Sequence, residues 1–367
     1  LNKLNNKELF SKIEDLIINK KKRFDLQKKS YLNIYHELKS NTKKIDSIKE
    51  KILYKENIFN IVKKKKIKII HISNFGSRLF NRIYHISIAK KLTNGFTRLG
   101  HDVINVSDRD ILRQNRTFSD TRGSKSLNET IYQTVKNYNP DLIILGHSFE
   151  INVKTLDKVK SFDKKIKIAQ WYEDHLANTG PDYKENRIKF LKYDDFIDKS
   201  FITTHPSALD FINKKNSFYM PIPVDENIES LKIYEYKNQK NDLFFTMSHG
   251  VNRGVLKKNK VDERVSFINK LVNNSPEIIC DIYGHNGREP VWGEDFYKAI
   301  KQSKMGLNLS RGKPIKYLTS NRIASLIGNG LLTFIDRKTK LDNFFNKNEV
   351  VFYSSLQDLA EKINQFK

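Results

Sequence analysis

Apolar residues recur at every seventh position through the opening segment: Phe10, Ile17, Phe24, Tyr31, Leu38, Ile45, Ile52 and Phe59. A row at that spacing is the seam of a coiled coil. The positions three residues further along read Ile13, Lys20, Gln27, Ile34, Asn41, Ile48, Lys55 and Val62. Half of this second row is polar, so the seam is weak. No Pro or Gly precedes Gly76, and the segment is predicted to run as one or two long helices, mainly helical from Glu8 to Asn60. Such an arm, residues 1–66, either packs along the body of the protein or serves oligomerisation or docking, and the pattern leaves both open.

From Ile67 the texture changes to short apolar runs alternating with amphipathic stretches, the signature of βα units on a parallel sheet. KIKIIHIS, DVINV, DLIILGH (Asp141 to His147), IKIAQWY (Ile166 to Tyr172) and FITT (Phe201 to Thr204) read as strands, with a helix around Ile86 to Leu99. PIPVDE, from Pro221, reads as a stiff hinge. A second series then follows: DLFFTMS, IICDIYG, MGLNLS, LLTFID and VVFYSS as strands, with helices near 263–272, 296–304 and 321–328. The expectation is an α/β chain of two Rossmann-like, doubly wound domains, residues 67–222 and 223–367, facing one another across a crevice. Ligands of such sheets sit beyond the carboxyl ends of the strands.

Composition narrows the function classes. No run approaches the roughly 18 uninterrupted apolar residues of a membrane-spanning helix. The single cysteine, Cys280, excludes an internal disulfide framework and suits a reducing compartment. The first residue is Leu1 and no signal-peptide pattern follows. A cytoplasmic location is therefore expected, with peripheral contact at an anionic inner membrane face through the run Lys63 to Lys66. The formal charge of +25 invites nucleic acid as well. That charge is spread along the chain without a recognisable reading module, so nucleic acid is disfavoured.

The stretch with most chemistry is MGLNLSRGKPIKYLTSNRIASLIGNGLLTFID, Met305 to Asp336: strand, polar loop, helix, glycine, strand. Thr319 or Ser320 is placed to cap the helix, whose free N–H groups attract phosphate. Arg311, Lys313, Lys316 and Arg322 crowd the same place. This arrangement resembles the donor-binding segment of GT-B glycosyltransferases, in particular the group related to the spore-coat protein CgeB, and Arg322 and Gly330 match that pattern. The resemblance implies a GT-B fold and transfer of a sugar from a nucleotide-sugar donor. It assigns donor binding to Gly76, Arg253, Lys257, Tyr283, Gly284, Arg311, Ser320, Asn321, Arg322 and Ser325. Ser325 stands where relatives carry a Glu that holds the donor ribose.

The loop Ser248 to Arg264 carries Gly250 and Gly254 for close backbone approach and Arg253, Lys257 and Lys258 as cations for a departing diphosphate. YGHNGREPVWG, Tyr283 to Gly293, offers Trp292 for stacking. In the first domain, Asn74, Phe75 and Gly76 follow the opening strand without a GxGxxG pattern. His147, Glu173, Asp174 and His175 end two strands. A base must take the acceptor hydroxyl's proton, and Asp174 is the first choice, His175 the second, with His147 beside them. Arg322 is expected to serve the donor while contributing little to folding. No metal and no cofactor beyond the donor itself are expected, since no zinc constellation, Walker loop or GxSxG elbow exists. The partners expected are the donor, a glycan, lipid-linked or protein acceptor, and a second copy through the arm. The rival reading is a non-catalytic scaffold on a degenerate body.

Overall fold

The computed structural model describes residues 66–78, 82–83, 87–212, 215–247 and 263–367. The predicted N-terminal arm up to residue 65 and the loop with Gly250, Arg253, Gly254, Lys257 and Lys258 lie outside the described residues. The described chain groups into two units, residues 66–228 with 315–321, and residues 229–314 with 322–367. The boundary therefore falls at Ile228 and Glu229, just beyond the hinge prolines.

The first unit opens with β1 (Lys68–Ser73), followed by a separate two-residue ribbon, β2 (Ser77–Arg78) with β3 (Arg82–Ile83). Its further strands are β4 (Asp102–Ser107), β5 (Leu142–Gly146), β6 (Lys167–Tyr172), β7 (Lys199–Ile202) and β8 (Ser217–Tyr219). All but the ribbon join one six-stranded parallel sheet in the order β4-β1-β5-β6-β7-β8. In β1 and β6 every residue after the first is buried, because helices cover both faces of a parallel sheet and the hydrophobic run need not alternate. The helices are α1 (Ile88–Arg98), α2 (Asp108–Gln114), α3 (Ser124–Tyr138), α4 (Val153–Phe162) and α5 (Tyr183–Leu191). α3 buries Leu127, Ile131 and Val135, spaced four apart on one stripe, against Ile70, Ile72, Ile143 and Leu145. Each such side chain contributes about 1.5–3 kcal/mol through burial. α1 starts where Ser87 Oγ accepts from Lys90 N at 3.2 Å, and α4 where Asn152 accepts from Lys154 N at 3.1 Å.

The second unit repeats the plan with five parallel strands. They are β9 (Asn241–Thr246), β10 (Cys280–Tyr283), β11 (Ser303–Asn308), β12 (Leu332–Asp336) and β13 (Val351–Tyr353), in the order β10-β9-β11-β12-β13. Helices α6 (Glu263–Asn274), α7 (Gly293–Lys301), α8 (Asn321–Gly328) and α9 (Leu356–Phe366) flank the sheet. Two residues past the end of α8 comes Gly330, which has φ +79, and a side chain there would meet the Tyr234 ring at 2.6 Å. The glycine anticipated from the sequence is thus required twice, by left-handed backbone and by packing.

The two Rossmann-like units in succession give the chain the GT-B type of architecture. In both sheets the first strand of the unit is internal and the second lies on one side of it while the third lies on the other. The strand order therefore reverses between β1 and β5 in the first unit, and between β9 and β11 in the second. These are the topological switch points where open α/β sheets bind ligands.

Candidate functional site

At the switch point of the first unit, the ends of β1 and β5 are tied side chain to backbone. Ser73 Oγ donates to Gly146 O at 2.5 Å and Ser148 Oγ to Ile72 O at 2.6 Å. Beneath them a polar chain runs from the buried His71 and Thr93 out to the exposed Asn105. Trp171 Nε1 donates to His71 Nε2 at 2.9 Å, and Thr93 Oγ1 donates to Asn105 Oδ1 at 2.8 Å. Since Thr93 spends its proton on Asn105, the 2.9 Å contact between His71 Nδ1 and Thr93 Oγ1 requires the proton on Nδ1. His71 is thus a neutral imidazole of fixed tautomer, and burial lowers its pKa from 6.5 to about 3. Gly146 is needed because a side chain there would meet the Trp171 ring at 2.2 Å.

His147 follows directly, with φ +55, a strained setting for a residue with a side chain. Its ring stacks on Tyr172, with centroids 4.7 Å apart, and its pKa is lowered, chiefly by desolvation. Nε2 accepts a long hydrogen bond from Glu173 N at 3.4 Å, and Nδ1 lies 3.7 Å from Asp174 Oδ2. With Nε2 an acceptor, the Nδ1 proton faces Asp174. The pair therefore leaves the Asp174 carboxylate, 54% exposed, open to solvent beside the His147 ring. His175 differs from expectation: it is buried, its Nδ1 accepts from Ala177 N at 3.2 Å, and its carbonyl accepts from Asn186 Nδ2 at 3.1 Å. That is the setting of a residue shaping the turn after β6. Thr203 Oγ1, donating to Glu173 O at 2.8 Å, holds the same turn from β7.

Gly76, expected near a donor, makes room for a side chain of its own unit: a Cβ there would fall on the Asp110 carboxylate. Asn321 Oδ1 accepts from Lys91 Nζ at 3.1 Å. Two buried side-chain oxygens lie beside β1 and β4, Asn74 Oδ1, of the loop singled out from the sequence, and Asp108 Oδ2, which sequence reasoning missed; neither has a hydrogen-bond partner. Sequence reasoning also missed the half-exposed ring cluster His205, Tyr219 and Tyr317, where Tyr219 Oη donates to Tyr317 O at 3.0 Å. The position of Asp108 directly after β4 was the available signal for the first; nothing local announced the ring cluster.

At the switch point of the second unit stands Arg322, in the first turn of α8. Its Nε donates to Thr246 O and its Nη1 to Leu309 O, both at 2.9 Å, and the guanidinium lies 5.0 Å from the Phe245 ring centroid. The side chain spans the carboxyl ends of β9 and β11 with a permanent positive charge. The side chain is thus half-buried and bonded to two half-buried carbonyls, not the exposed group expected from the sequence, and a contribution to folding is added to its expected service to the donor. Arg311 and Ser320 are half-buried nearby in sequence, and Gly312 N donates to Glu263 Oε1, anchoring the loop to α6. Ser325 is buried within α8, on the face packed inward. Tyr283 ends β10 with the Arg288 guanidinium 3.6 Å over its ring, and Arg288 is paired with Asp281 at 2.6 Å. Gly284, φ +74, follows, where a side chain would strike Met247 O at 1.7 Å. Among the described residues no group of three or more His, Cys, Asp or Glu is placed to hold a metal ion, and no helix is long and apolar enough to cross a membrane.

Residues 264–367, which include Arg322, Ser325 and Gly330, match the family described as glycosyl transferase-like. The C-terminal unit is a glycosyltransferase domain. The match covers the C-terminal part of a chain whose two units have the GT-B arrangement of sheets. Among solved structures the chain is similar to α,α-trehalose 6-phosphate synthase from Burkholderia multivorans, at 8% identity over 82% of this chain and 90% of that one, TM-score 0.47. It is likewise similar to the UDP-GlcNAc 2-epimerase from Neisseria meningitidis bound to UDP-GlcNAc, at 13% identity over 82% and 91%, TM-score 0.43. A third is the glycosyltransferase SnogD from Streptomyces nogalater, at 10% over 82% and 95%, TM-score 0.39. Comparison with the curated proteins gave no match.

Proposed function

We propose that this protein is a glycosyltransferase that moves a sugar from a nucleotide-sugar donor to a hydroxyl of a glycan, lipid-linked or protein acceptor. The observation that carries the reading is Arg322, a guanidinium fixed across the ends of β9 and β11 at the switch point of the domain that matches the family. A cation held there by backbone acceptors suits a diphosphate, whose charge grows as the glycosidic bond breaks. Arg253 and Lys257, outside the described residues, are assigned to the same diphosphate because their loop leaves β9. Tyr283, Gly284, Arg311, Ser320 and Asn321 are kept as donor-side candidates.

In the N-terminal unit, Asp174 takes the acceptor proton while His147 orients its carboxylate. The acceptor oxygen bonds to the anomeric carbon as the bond to the diphosphate breaks, the electron pair leaves with the diphosphate, and the proton resides on Asp174. The protein supplies the counter-charge, and no divalent metal is required. Thermal-shift measurements against UDP-, GDP-, CMP- and dTDP-linked sugars test the reading, because a ligand that binds only the folded state raises the midpoint. One nucleotide class is expected to raise it in the native protein and to fail with Arg322→Ala. A chain indifferent to all four is the non-catalytic scaffold instead.

A further inference from the structure

The loop between α2 and α3 carries an exposed aromatic on an ordered support. Phe118 is 107% exposed. Its turn is closed on both sides: Thr117 N donates to Asp120 O at 3.1 Å, and Asp120 N donates to Thr117 O at 3.2 Å and to Thr117 Oγ1 at 3.0 Å. The Asp120 carboxylate then accepts from Ser124 N at 2.9 Å and Ser126 N at 3.2 Å, fixing the turn to the start of α3. Phe118 is therefore held outward at the tip of a braced turn. A fully exposed ring is disfavoured in water, and nothing in the turn's own bonding needs it.

The exposed residues flanking the ring along the chain are rich in cations. Arg109 and Arg113 lie one helical turn apart on α2, Arg116 and Arg122 flank the turn, and Lys125 opens α3, all exposed. Between residues 109 and 125 the only acids are Asp110 and Asp120, and both are engaged, Asp110 by Ser107 Oγ at 2.7 Å and Asp120 by the start of α3. An apolar tip flanked along the chain by the exposed Arg116 and Arg122 matches the two layers of an anionic bilayer surface, where a ring enters the headgroup boundary and arginines meet phosphate or carboxylate. One ring is too little for a protein interface of ordinary size, whereas a bilayer sets no such minimum.

We propose that residues 113–125 dock this protein reversibly on an anionic lipid surface, with Phe118 entering the bilayer boundary. The proposal is independent of the transferase reading and of the Lys63 to Lys66 run.

The test uses the full chain. In Phe118→Trp, tryptophan emission, corrected for Trp171 and Trp292 by subtracting the native protein, should shift to the blue with phosphatidylcholine vesicles containing phosphatidylglycerol. It should not shift with phosphatidylcholine alone. Lipids brominated in the acyl chains should quench it, and added salt should reverse it. In sedimentation with the mixed vesicles, Arg116→Gln and Arg122→Gln should each lower the partition coefficient about fivefold, and Phe118→Ser should lower it as well. An unshifted signal from the introduced tryptophan overturns the proposal, as does binding undiminished in all three variants, which would place the contact on other cations. A signal that responds to a single-stranded oligonucleotide but not to vesicles overturns it in favour of base stacking.

Discussion

The two sheets of this protein share a plan and differ in what they hold at its centre. In the N-terminal unit the switch point between β1 and β5 is lined by neutral imidazoles and carboxyl groups: His71 below, His147 at the strand end, Asp174 beside it. In the C-terminal unit the same place, between β9 and β11, is spanned by the guanidinium of Arg322. Topology decides where a ligand can reach several strand ends at once. The few residues that follow each strand decide what that place does. Under the proposed function these are a proton acceptor in one unit and a cation for the leaving diphosphate in the other, the two groups that sugar transfer from an activated donor uses.

The sharpest way to break this comparison is Asp174→Asn, which keeps the shape and removes the base. Transfer should fall roughly 100- to 10,000-fold in kcat, with the donor's thermal shift unchanged. Because Asp174 is half exposed, the melting midpoint should move little. Unaltered kcat would take the base away from this carboxylate.

Arg322 comes next. Arg322→Ala should cost about 2–4 kcal/mol in donor kcat/KM, and Arg322→Lys less, since lysine restores charge without the fork. The alanine variant should also lose about 1–3 kcal/mol of stability, because Thr246 O and Leu309 O lose their donor. Lost stability with an intact donor shift would leave Arg322 a structural clamp only.

The pH dependence contrasts buried groups of opposite sign within the N-terminal unit. Burial raises the Asp108 carboxyl from 3.8 to about 6 in the folded protein. The folded form therefore prefers the proton, and its ionisation destabilises the fold as pH rises from about 4 to about 6. Asp108→Asn should raise the melting midpoint near neutral pH, by up to about 3 kcal/mol of stability, and give no gain near pH ~4. His71 acts in the reverse direction. With its folded pKa lowered to about 3, the unfolded chain binds the proton first as pH falls below about 6.5, and stability drops with acid. An Asp108→Asn gain that is the same at both pH values would remove the titration argument. The smallest effect expected is none: EDTA should leave transfer unchanged, and rescue of a lost activity by manganese would contradict the proposed self-supplied counter-charge.

How much of this was legible in the sequence differs between the two switch points. Arg322 was found because its signal is local: a strand, a polar loop and a helix start within one short stretch, and the basic residue at the helix start must lie beside the strand end. His147 and Asp174 were found for the same reason, at the ends of apolar runs. His175 is buried where Asp174 is exposed, because side chains adjacent in sequence diverge after a strand, one to solvent and one to the turn. The polar chain His71, Thr93, Asn105 and Trp171 joins four separate elements, so no window of sequence contains it.

The sequence by itself determined the βα texture, the order of strands along each unit, and Gly330 as the stop of α8. Each follows from hydrophobic period and backbone sterics, which act over a few residues. Tertiary structure alone decided which strands adjoin, hence where the switch points fall. It decided that Ile315–Asn321 groups with the N-terminal unit, which nitrogen of His71 carries the proton, and that Phe118 points to solvent on a braced turn. The reason is physical. Pairing, burial and the charge state of a buried group depend on neighbours brought together from distant parts of the chain, and local sequence carries no record of them.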